Sequence, residues 1–302
     1  MSEIVYRDRE SGEQKKEKVY GKFFLEAVYG TSLLSKLFSL IALPLISNIP
    51  FFSKLYGKRQ KSLKSRRKVR PFIENFHVDT QEFTESPESF QSFNDFFIRK
   101  LKPEVRPLAP GDEVAVLPAD GRYLVYPDIS VVEGFYVKEK KFDLHRLIQD
   151  EFLFELYKRG SMVIARLCPT DYHRFHFPCA CLPSKAKLIN GPLYSVNPIA
   201  LREHISILNE NKRMLTQLET QRFGKILYIE VGATFVGSIK QTYQPQTPQV
   251  KGGEKGYFEF GGSCLILLFQ PNKILFDQDL VDASLEFVET KAKFGSSLGR
   301  CR

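Results

Sequence analysis

The chain has 302 residues and a formal net charge of +9, with 43% hydrophobic and 26% charged residues. This composition is typical of a globular protein and excludes a fibrous, repetitive or largely disordered chain. The five cysteines are an odd number in a long chain, which argues against a disulfide framework and favours a reducing compartment. The polar start MSEIVYRDRE lacks the features of a secretory signal.

The most apolar stretch lies near the start, at residues 22–56. Within it, Leu33 to Phe52 has nearly the length of about 20 residues that spans a bilayer. The run is interrupted by Lys36, Pro44, Asn48 and Pro50. A bent helical hairpin lying in the membrane interface is therefore favoured over a spanning helix. An ordinary apolar helix pair followed by a solvated basic helix is the alternative.

A basic run follows directly. Nine Lys and Arg residues and no acidic residue lie between Ser53 and Arg70, and they equal the excess charge of the whole chain. Such a run is typical of a contact with nucleic acid or with anionic lipid. Tyr56 is the only aromatic residue among them, so base stacking has little support and we expect no nucleic acid partner. Residues 1–70 are thus predicted to be a helical, basic, membrane-associating segment.

Residues 71–302 are predicted to form the catalytic domain. The segment SFNDFFIR at 92–99 combines a helix N-cap with an apolar face. From residue 114 onward, short apolar runs between turn residues predict strands at 114–117, 122–126, 162–167, 226–231, 235–239 and 264–269. Helical spacing predicts helices at about 142–158, 199–216 and 279–294. The expected fold class is α+β, with a β-rich catalytic domain and flanking helices.

Two motifs contain candidate catalytic side chains, but neither is decisive by itself. His173 and His176 lie in DYHRFHFP, where one of the pair could equally be structural. Asp120 lies in PADG between two predicted strands, where Asp-Gly is first of all a turn signal. Cys179 and Cys181 lack the usual spacing of a zinc site, and no metal is predicted.

A glycine-rich segment precedes the last long apolar run. Five glycines fall within residues 251–262, and Gly261 and Gly262 stand directly before Ser263. Glycines at this point tolerate positive φ and backbone strain. A phosphate-binding loop would need a Gly-Lys-Ser/Thr sequence and a following helix, which are missing here. A plain hairpin or bulge is the bland alternative.

Taken together, PADG, DYHRFHFP and GYFEFGGS, in this order and spacing, resemble the phosphatidylserine decarboxylases. The resemblance covers about residue 90 to the C-terminus, and SFNDFFIR, YSVNP at 194–198 and VGATFVGSI at 231–239 support it. The Phe-Gly-Gly-Ser form is similar to the second type in this family rather than to the Leu-Gly-Ser-Thr type.

The resemblance implies a precursor that cleaves itself between Gly262 and Ser263 into chains 1–262 and 263–302. In this scheme Asp120, His176 and Ser263 form the charge relay for self-cleavage, with His176 as the base. Ser263 then becomes a covalent pyruvoyl cofactor that forms a Schiff base with phosphatidylserine. His173 is a candidate acid or substrate-positioning residue. The product is phosphatidylethanolamine, so the function is a carboxy-lyase of phospholipid biosynthesis.

A second Gly-Ser pair, Gly295-Ser296, competes as the cleavage point. It falls at the end of a predicted helix, where Gly is an expected cap, and cleavage there leaves no following strand, so Ser263 is preferred. Cys264 departs from the family pattern, which commonly has Thr or Ser at this place. This departure puts in doubt any hydroxyl role next to the cut.

The expected partners are phosphatidylserine, an anionic membrane surface and the protein's own two chains, and a homodimer is compatible with the sequence. The expected location is the cytoplasmic side of the cell membrane, as a peripheral protein. Two other functions stay open: a pyruvoyl-dependent decarboxylase of a soluble amino acid, and a non-enzymatic basic membrane-binding protein. The apolar and basic N-terminal segment argues against the first, because a soluble substrate needs no membrane contact.

Overall fold

A computed structural model describes residues 4–18, 50–132, 136–137, 140–197, 200–201, 206–233, 238–261 and 263–302. The strands of these ranges, in chain order, are β1 (Val5–Asp8), β2 (Gln14–Lys16), β3 (Val114–Val116), β4 (Gly121–Tyr126), β5 (Tyr136–Val137), β6 (Lys140–Lys141), β7 (Ser161–Leu167), β8 (Arg174–His176), β9 (Leu182–Pro183), β10 (Lys187–Ile189), β11 (Arg213–Glu219), β12 (Lys225–Val231), β13 (Ile239–Gln241), β14 (Glu254–Phe258), β15 (Ser263–Phe269), β16 (Ile274–Phe276), β17 (Glu289–Ala292) and β18 (Ser297–Cys301).

The described residues contain fewer helices than strands. The α-helices of the described ranges are α1 (Pro50–Gln60), α2 (Val69–Phe76), α3 (Phe93–Phe97), α4 (Ile129–Val132), α5 (Leu144–Ile148), α6 (Glu151–Tyr157), α7 (Ile207–Glu210) and α8 (Gln278–Leu285). Short 3₁₀ turns lie at Leu63–Lys68, Thr80–Glu82 and Pro103–Val105. The molecule is thus a mixed α+β protein in which sheet predominates, as the sequence predicted.

A large sheet forms the centre of the protein. Its strand order is β10-β11-β12-β15-β7-β4-β17-β1-β2, with β9 paired to β11. All its pairings are antiparallel except that of β1 with β17. Every residue of β7 and of β15 is buried, because both faces of the sheet are covered. That burial explains why these strands appear in the sequence as continuous apolar runs.

Successive residues of the central strands serve two different cores, as the alternation of a β-strand requires. Ile266 and Leu268 of β15 pack in one core with the side chains of α5, α6 and α7. Leu265 and Leu267 pack in the other core, with α8 and residues of the smaller sheets β13-β14-β8 and β16-β18-β3.

A third cluster, which we call the phenylalanine cluster, lies between the N-terminal helices and the sheet. Its buried members are Val69, Phe72, Phe83, Phe90, Phe93, Phe96, Phe97 and Phe260. Most of them come from residues 69–97, but Phe260 comes from the glycine-rich segment just before β15. This cluster therefore brings the N-terminal helices into contact with the predicted cleavage segment.

Several predicted elements differ from the observed ones. The predicted helix 142–158 is two helices, α5 and α6, separated by Gln149 at φ 50°. The last part of the predicted helix 199–216 belongs to β11. The predicted helix 279–294 ends at Leu285, and β17 follows after Phe287 at φ 57°. Thr290 and Ala292 are buried while their neighbours are partly exposed, which is the period of a strand and not of a helix.

The predicted membrane-associating segment 1–70 lies partly outside the described residues, which omit 19–49. The strands β1 and β2 of this segment lie in the main sheet, where β1 pairs with β17. The basic run between Ser53 and Arg70 lies in α1, in the 3₁₀ turn that follows it and at the start of α2. Among the described helices, none combines the length and the apolar character needed to cross a membrane. The division into two domains stays a prediction.

Candidate active site

Ser263, the predicted nucleophile, is the first residue of β15 and is completely buried. Its strand partner is Leu167, the last residue of β7. Gly261, two residues earlier, has a φ of 140°, a value that glycine adopts far more readily than other residues. Gly262, the other half of the predicted cleavage site, lies outside the described residues. The serine therefore lies where an irregular backbone changes into a rigid central strand.

His173 lies beside this serine. Its Nδ1 atom is 3.3 Å from Oγ of Ser263, and its Nε2 atom is 2.8 Å from the carbonyl oxygen of Cys168. Because a carbonyl oxygen only accepts hydrogen bonds, Nε2 carries the proton and the lone pair of Nδ1 faces the serine hydroxyl. Burial lowers the pKa of His173 to about 3, although the charge of Asp171 opposes the shift. The imidazole is therefore neutral at neutral pH and able to accept a proton at Nδ1.

The phenylalanine cluster covers the other side of His173. The ring of Phe97, on α3, stacks on the imidazole. Phe97 in turn contacts Phe260 with ring centroids 4.9 Å apart, and the backbone N–H of Phe260 donates to Oδ1 of Asn94 at 2.9 Å. The segment SFNDFFIR thus contacts both His173, the predicted acid or substrate-positioning residue, and the chain just before the predicted cut.

His176 lies at the end of β8 and is also buried. Its backbone N–H donates to the carbonyl of Pro118 at 2.8 Å, and its ring stacks on Phe294 with centroids 3.7 Å apart. Burial lowers the pKa of His176 to about 3. Its Nδ1 atom is buried and has no hydrogen-bond partner among the described residues. A buried nitrogen without a partner is costly and calls for an explanation.

Asp120 is held by a guanidinium. Arg106 donates to both of its carboxylate oxygens, at 3.0 and 2.6 Å, and the backbone N–H of Phe294 donates to Oδ1 at 2.9 Å. The same guanidinium makes a second two-fold contact with Glu82, at 3.0 and 2.8 Å. Arg106 therefore lies between two carboxylates and holds Asp120 in one orientation.

The structure joins Ser263 and His173 directly. Asp120 and His176 lie near each other, because both contact Phe294. The carbonyl of Pro118, two residues before Asp120, also accepts the backbone N–H of His176. The hydrogen bonds of the described residues include none between Asp120 and His176 and none between His176 and Ser263. The predicted charge relay is thus not tested by these contacts and stays a prediction.

The competing cleavage point has a different environment from the one predicted. Gly295 does not end a helix; it follows β17 in a turn, at φ 89°. Its carbonyl accepts from Ala109 at 2.8 Å and its N–H donates to Leu117 at 3.1 Å, so the turn is fixed on both sides. Both reasons given from the sequence for excluding this site were wrong, because the helix ends ten residues earlier and β18 follows directly after Ser296.

The side chain of Cys264 points into the apolar core, which explains why a cysteine is tolerated at this position. Its side chain is fully buried in the core that contains α5 to α7, and burial raises the pKa of its thiol to about 12. The thiol is therefore protonated and packs as a small apolar group, with Sγ 3.5 Å from the carbonyl of Leu265. Within the described residues, no group of three or more His, Cys, Asp or Glu side chains could hold a metal ion.

Three parts of this site were not predicted. Phe97 belongs to a motif that was recognised, but nothing in a helix pattern shows that one of its rings covers a histidine. Arg106 stands between Val105 and Pro107, where a lone arginine gives no signal. The carbonyl of Cys168 is a backbone group, and its role is independent of side-chain identity.

Comparison with known proteins identifies relatives along nearly the whole chain. The family model described as phosphatidylserine decarboxylase matches residues 93–300. The phosphatidylserine decarboxylase proenzyme of Chlamydia pneumoniae is 47% identical over 300 residues, covering 99% of this chain and 98% of the relative. The proenzyme of Chlamydia caviae is also 47% identical, with 99% of both chains covered. That of Chlamydia trachomatis serovar D is 41% identical over 302 residues, with 99% and 97% covered.

Proposed function

The chain belongs to the phosphatidylserine decarboxylase family, and from this premise we propose that it is a proenzyme that converts phosphatidylserine to phosphatidylethanolamine and carbon dioxide after cleaving itself at Gly262–Ser263. The observation that carries the assignment of the reactive residue is the contact of the buried Ser263 hydroxyl with Nδ1 of His173. The relatives named proenzymes support processing of a precursor.

Self-cleavage uses side-chain and backbone atoms of the chain and one water molecule. Oγ of Ser263 attacks the carbonyl carbon of Gly262 and converts the peptide bond into an ester. Elimination then releases the Gly262 carboxylate and leaves a dehydroalanine at position 263, which loses ammonia on hydrolysis and becomes a pyruvoyl group. The φ of Gly261 supports this assignment, because a glycine there allows the irregular backbone that such an attack needs.

For the base of this step we propose His176, oriented by Asp120. The partnerless Nδ1 of His176 supports the proposal, because it is an atom that a carboxylate could hold. Asp120 is close by, since both residues contact Phe294. To reach His176, the carboxylate would exchange a contact with Arg106 for one with the imidazole. His173 is the competing base, because its Nδ1 already faces Ser263.

The pyruvoyl group would be held at the start of β15 by the chain itself. The residues around position 263 fit it: the site is buried, apolar rings cover one side, and the neighbouring His173 is neutral. When formed, the group supplies a carbonyl that binds the substrate amine and withdraws electrons from the bond to the carboxylate.

We propose that His173 transfers the proton that replaces carbon dioxide on the substrate carbon. Nδ1 of His173 faces position 263 and would relay a proton to the substrate carbon from which carbon dioxide leaves. A pKa lowered to about 3 makes the protonated imidazole a strong acid for that transfer. The phenylalanine rings exclude water, which protects the carbon from other proton donors.

For the location we propose the cytoplasmic face of the cell membrane, with the basic run as the contact. A surface groove of about 760 Å³ has four basic side chains and one acidic side chain, Glu88, in its lining, beside Leu63, Val69 and Pro87. The basic ones are Lys64, Arg66, Arg67 and Arg70. Leu63 is 72% exposed, and such an apolar side chain among cations suits a lipid interface. Each cation near an anionic surface contributes about 1 kcal/mol.

An activity assay with vesicles tests this function. Purified protein is mixed with phosphatidylserine vesicles, and phosphatidylethanolamine is measured by mass spectrometry. We expect product from the unaltered chain and from Ser296→Ala, which changes the competing Gly-Ser pair, but none from Ser263→Ala. Activity in Ser263→Ala, or activity on free serine in place of the lipid, would contradict the proposal.

A further inference from the structure

We propose that the turn formed by residues 168–171, fixed by Asp171, Arg122 and Glu17, sets the tautomer of His173 and so presents its bare Nδ1 atom to position 263. Asp171, Arg122 and Glu17 are then positioning residues that act through His173. The effect of the tautomer on decarboxylation rests on the proposed function, but the tautomer itself can be measured in the uncut precursor.

The turn is closed by two hydrogen bonds between the same two residues. The backbone N–H of Asp171 donates to the carbonyl of Cys168 at 2.9 Å, and the backbone N–H of Cys168 donates to Oδ2 of Asp171 at 2.7 Å. Pro169 follows Cys168 and favours this kind of turn. The carbonyl of Cys168 is therefore held in one direction, and it is the same carbonyl that accepts from Nε2 of His173.

The direction of this carbonyl decides which ring nitrogen carries the proton. A neutral imidazole has one N–H, and an acceptor fixed at Nε2 keeps the proton there. Nδ1 is then left without a proton, facing Oγ of Ser263. If the carbonyl of Cys168 turned away, the ring could place its proton on Nδ1 and lose the ability to accept one at that atom.

Arg122 holds Asp171 in place. Its Nη1 atom donates to Oδ2 of Asp171 at 2.5 Å, and its Nε atom forms an ion pair with Oε2 of Glu17 at 2.9 Å. The side chains of these three residues are only 3–7% exposed. Such buried charges are stable only when paired. Losing Arg122 therefore leaves Asp171 without its ion-pair partner, and losing Glu17 removes one of the two partners of Arg122.

Arg99 holds the turn from its backbone side. Its Nη2 atom donates to the carbonyls of Thr170 and Asp171, at 3.2 and 3.3 Å. Thus one arginine binds the side chain of the turn and another binds its main chain. A turn restrained at both points keeps its carbonyl direction better than a free loop.

Glu17 is the distant member of this set. It follows β2, which lies at the edge of the main sheet, and it precedes the family match by more than seventy residues. Burial works against its ionisation, but Arg166 and Arg122 outweigh it and lower the pKa of Glu17 to about 2. The N-terminal strands thus deliver a permanent negative charge to the back of the active site.

A purely structural role for the network is the competing explanation. Arg166 pairs with Glu17 and also with Glu289, so the network ties the edge strands to the centre of the sheet. A role limited to stability predicts that any lost member lowers the stability of the protein and leaves the tautomer of His173 unchanged. Glu289→Gln is the matched control, because it removes a partly buried ion pair of Arg166 and leaves the contact of Arg166 with Sγ of Cys168 in place.

The test is NMR of the full-length Ser263→Ala precursor, labelled with ¹⁵N at histidine, in which long-range ¹H–¹⁵N couplings report the tautomer. The signal of His173 is identified by its loss in His173→Gln. We expect a single Nε2–H form near neutral pH, retained in Glu289→Gln. Asp171→Ala should give a mixture of the two tautomers, and Glu17→Gln a smaller shift in the same direction.

The same substitutions should also lower the activity of the self-cleaved enzyme. For Asp171→Ala we expect kcat on phosphatidylserine vesicles to fall by about 100-fold, with KM nearly unchanged. Asp171→Asn keeps an acceptor for Cys168 and should recover part of the loss, while Glu17→Gln takes the place of Asp171→Ala if that variant does not fold. An Nδ1–H or charged His173 in the parent precursor, or an unchanged tautomer in folded Asp171→Ala or, where that variant does not fold, in Glu17→Gln, would overturn the proposal. If the tautomer shifts but no variant or parent has activity, the proposed function fails and the positioning role stands.

Discussion

The ring of Phe97 stacks on the imidazole of His173 with centroids 3.9 Å apart and planes inclined by 26°. This contact fixes the plane of the histidine, while the carbonyl of Cys168 fixes its direction. The helix α3 thereby takes part in the site through an aromatic ring.

We expect Phe97→Leu to lower decarboxylation by about tenfold, because the imidazole gains freedom to tilt away from position 263. Phe90→Leu is the control, since Phe90 belongs to the same cluster and contacts Phe83 and Phe96 instead. Both substitutions should cost about 1 kcal/mol of stability, measured by urea unfolding. Equal losses of activity in the two variants would assign Phe97 a packing role alone.

The two histidines are predicted to separate the two reactions. His176→Ala should remain a single chain on a denaturing gel, because the proposed relay lacks its base. His173→Ala should be cleaved but decarboxylate at least about 100-fold more slowly. The reverse pattern, with His173→Ala uncut and His176→Ala cut, would transfer the role of the cleavage base to the residue that contacts Ser263.

The sequence predicted the central strands well because they are buried on both faces and short. The apolar runs 162–167, 226–231 and 264–269 match β7, β12 and β15 within one residue. The edge of the sheet was harder. Strand β17 contains Glu289 and Lys291, and its alternation is only four residues long, so it was absorbed into the preceding helical pattern. Its identity is decided by pairing with β4 and β1.

For the site, the sequence predicted which residues carry chemistry and could not predict how they pair. His173 and His176 are three residues apart, and their different partners come from a turn and from a distant loop. The pairing of Asp120 with Arg106 likewise depends on the fold, since a charged residue in a sequence has many available partners. Contacts with Glu17 span over a hundred residues and left no local pattern.

Acid should destabilise the uncut precursor. The pKa values of His173 and His176 are lowered to about 3 in the folded state, from 6.5, so the unfolded chain binds more protons between those values. The stability from each neutral histidine is complete above pH 6.5 and is lost as the pH falls toward 3, at about 1.4 kcal/mol per pH unit. Urea unfolding of Ser263→Ala at pH 7.5, 6 and 5 should show this fall in the free energy of unfolding. In Ser263→Ala/His173→Gln the fall should be smaller, because only His176 then contributes. A flat profile would contradict the buried, neutral state of both rings.

A buried ion pair away from the site makes a separate prediction. Nζ of Lys255 contacts Glu230, and both side chains are fully buried. Burial lowers the pKa of Lys255 and raises that of Glu230, so each charge is maintained by the other. Lys255→Met should cost about 3–5 kcal/mol in urea unfolding, because it leaves Glu230 without its partner.

The double variant Lys255→Met/Glu230→Leu should recover most of that loss, since two apolar side chains can replace a buried pair. The exposed pair of Lys158 and Glu155 is the control, and Lys158→Met should change stability by less than about 1 kcal/mol. A double variant no more stable than Lys255→Met would show that other partners of the lysine, such as Thr216, matter more.

The central claim is that the chain cuts itself between Gly262 and Ser263 and that Ser263 supplies the reactive carbonyl. Intact-mass measurement of the purified protein tests it most directly. The account predicts a short chain of residues 263–302 with a pyruvoyl group in place of its first serine, and a long chain ending at Gly262. Full-length protein that is catalytically active, or a short chain that begins with an unmodified serine or at Ser296, would contradict it.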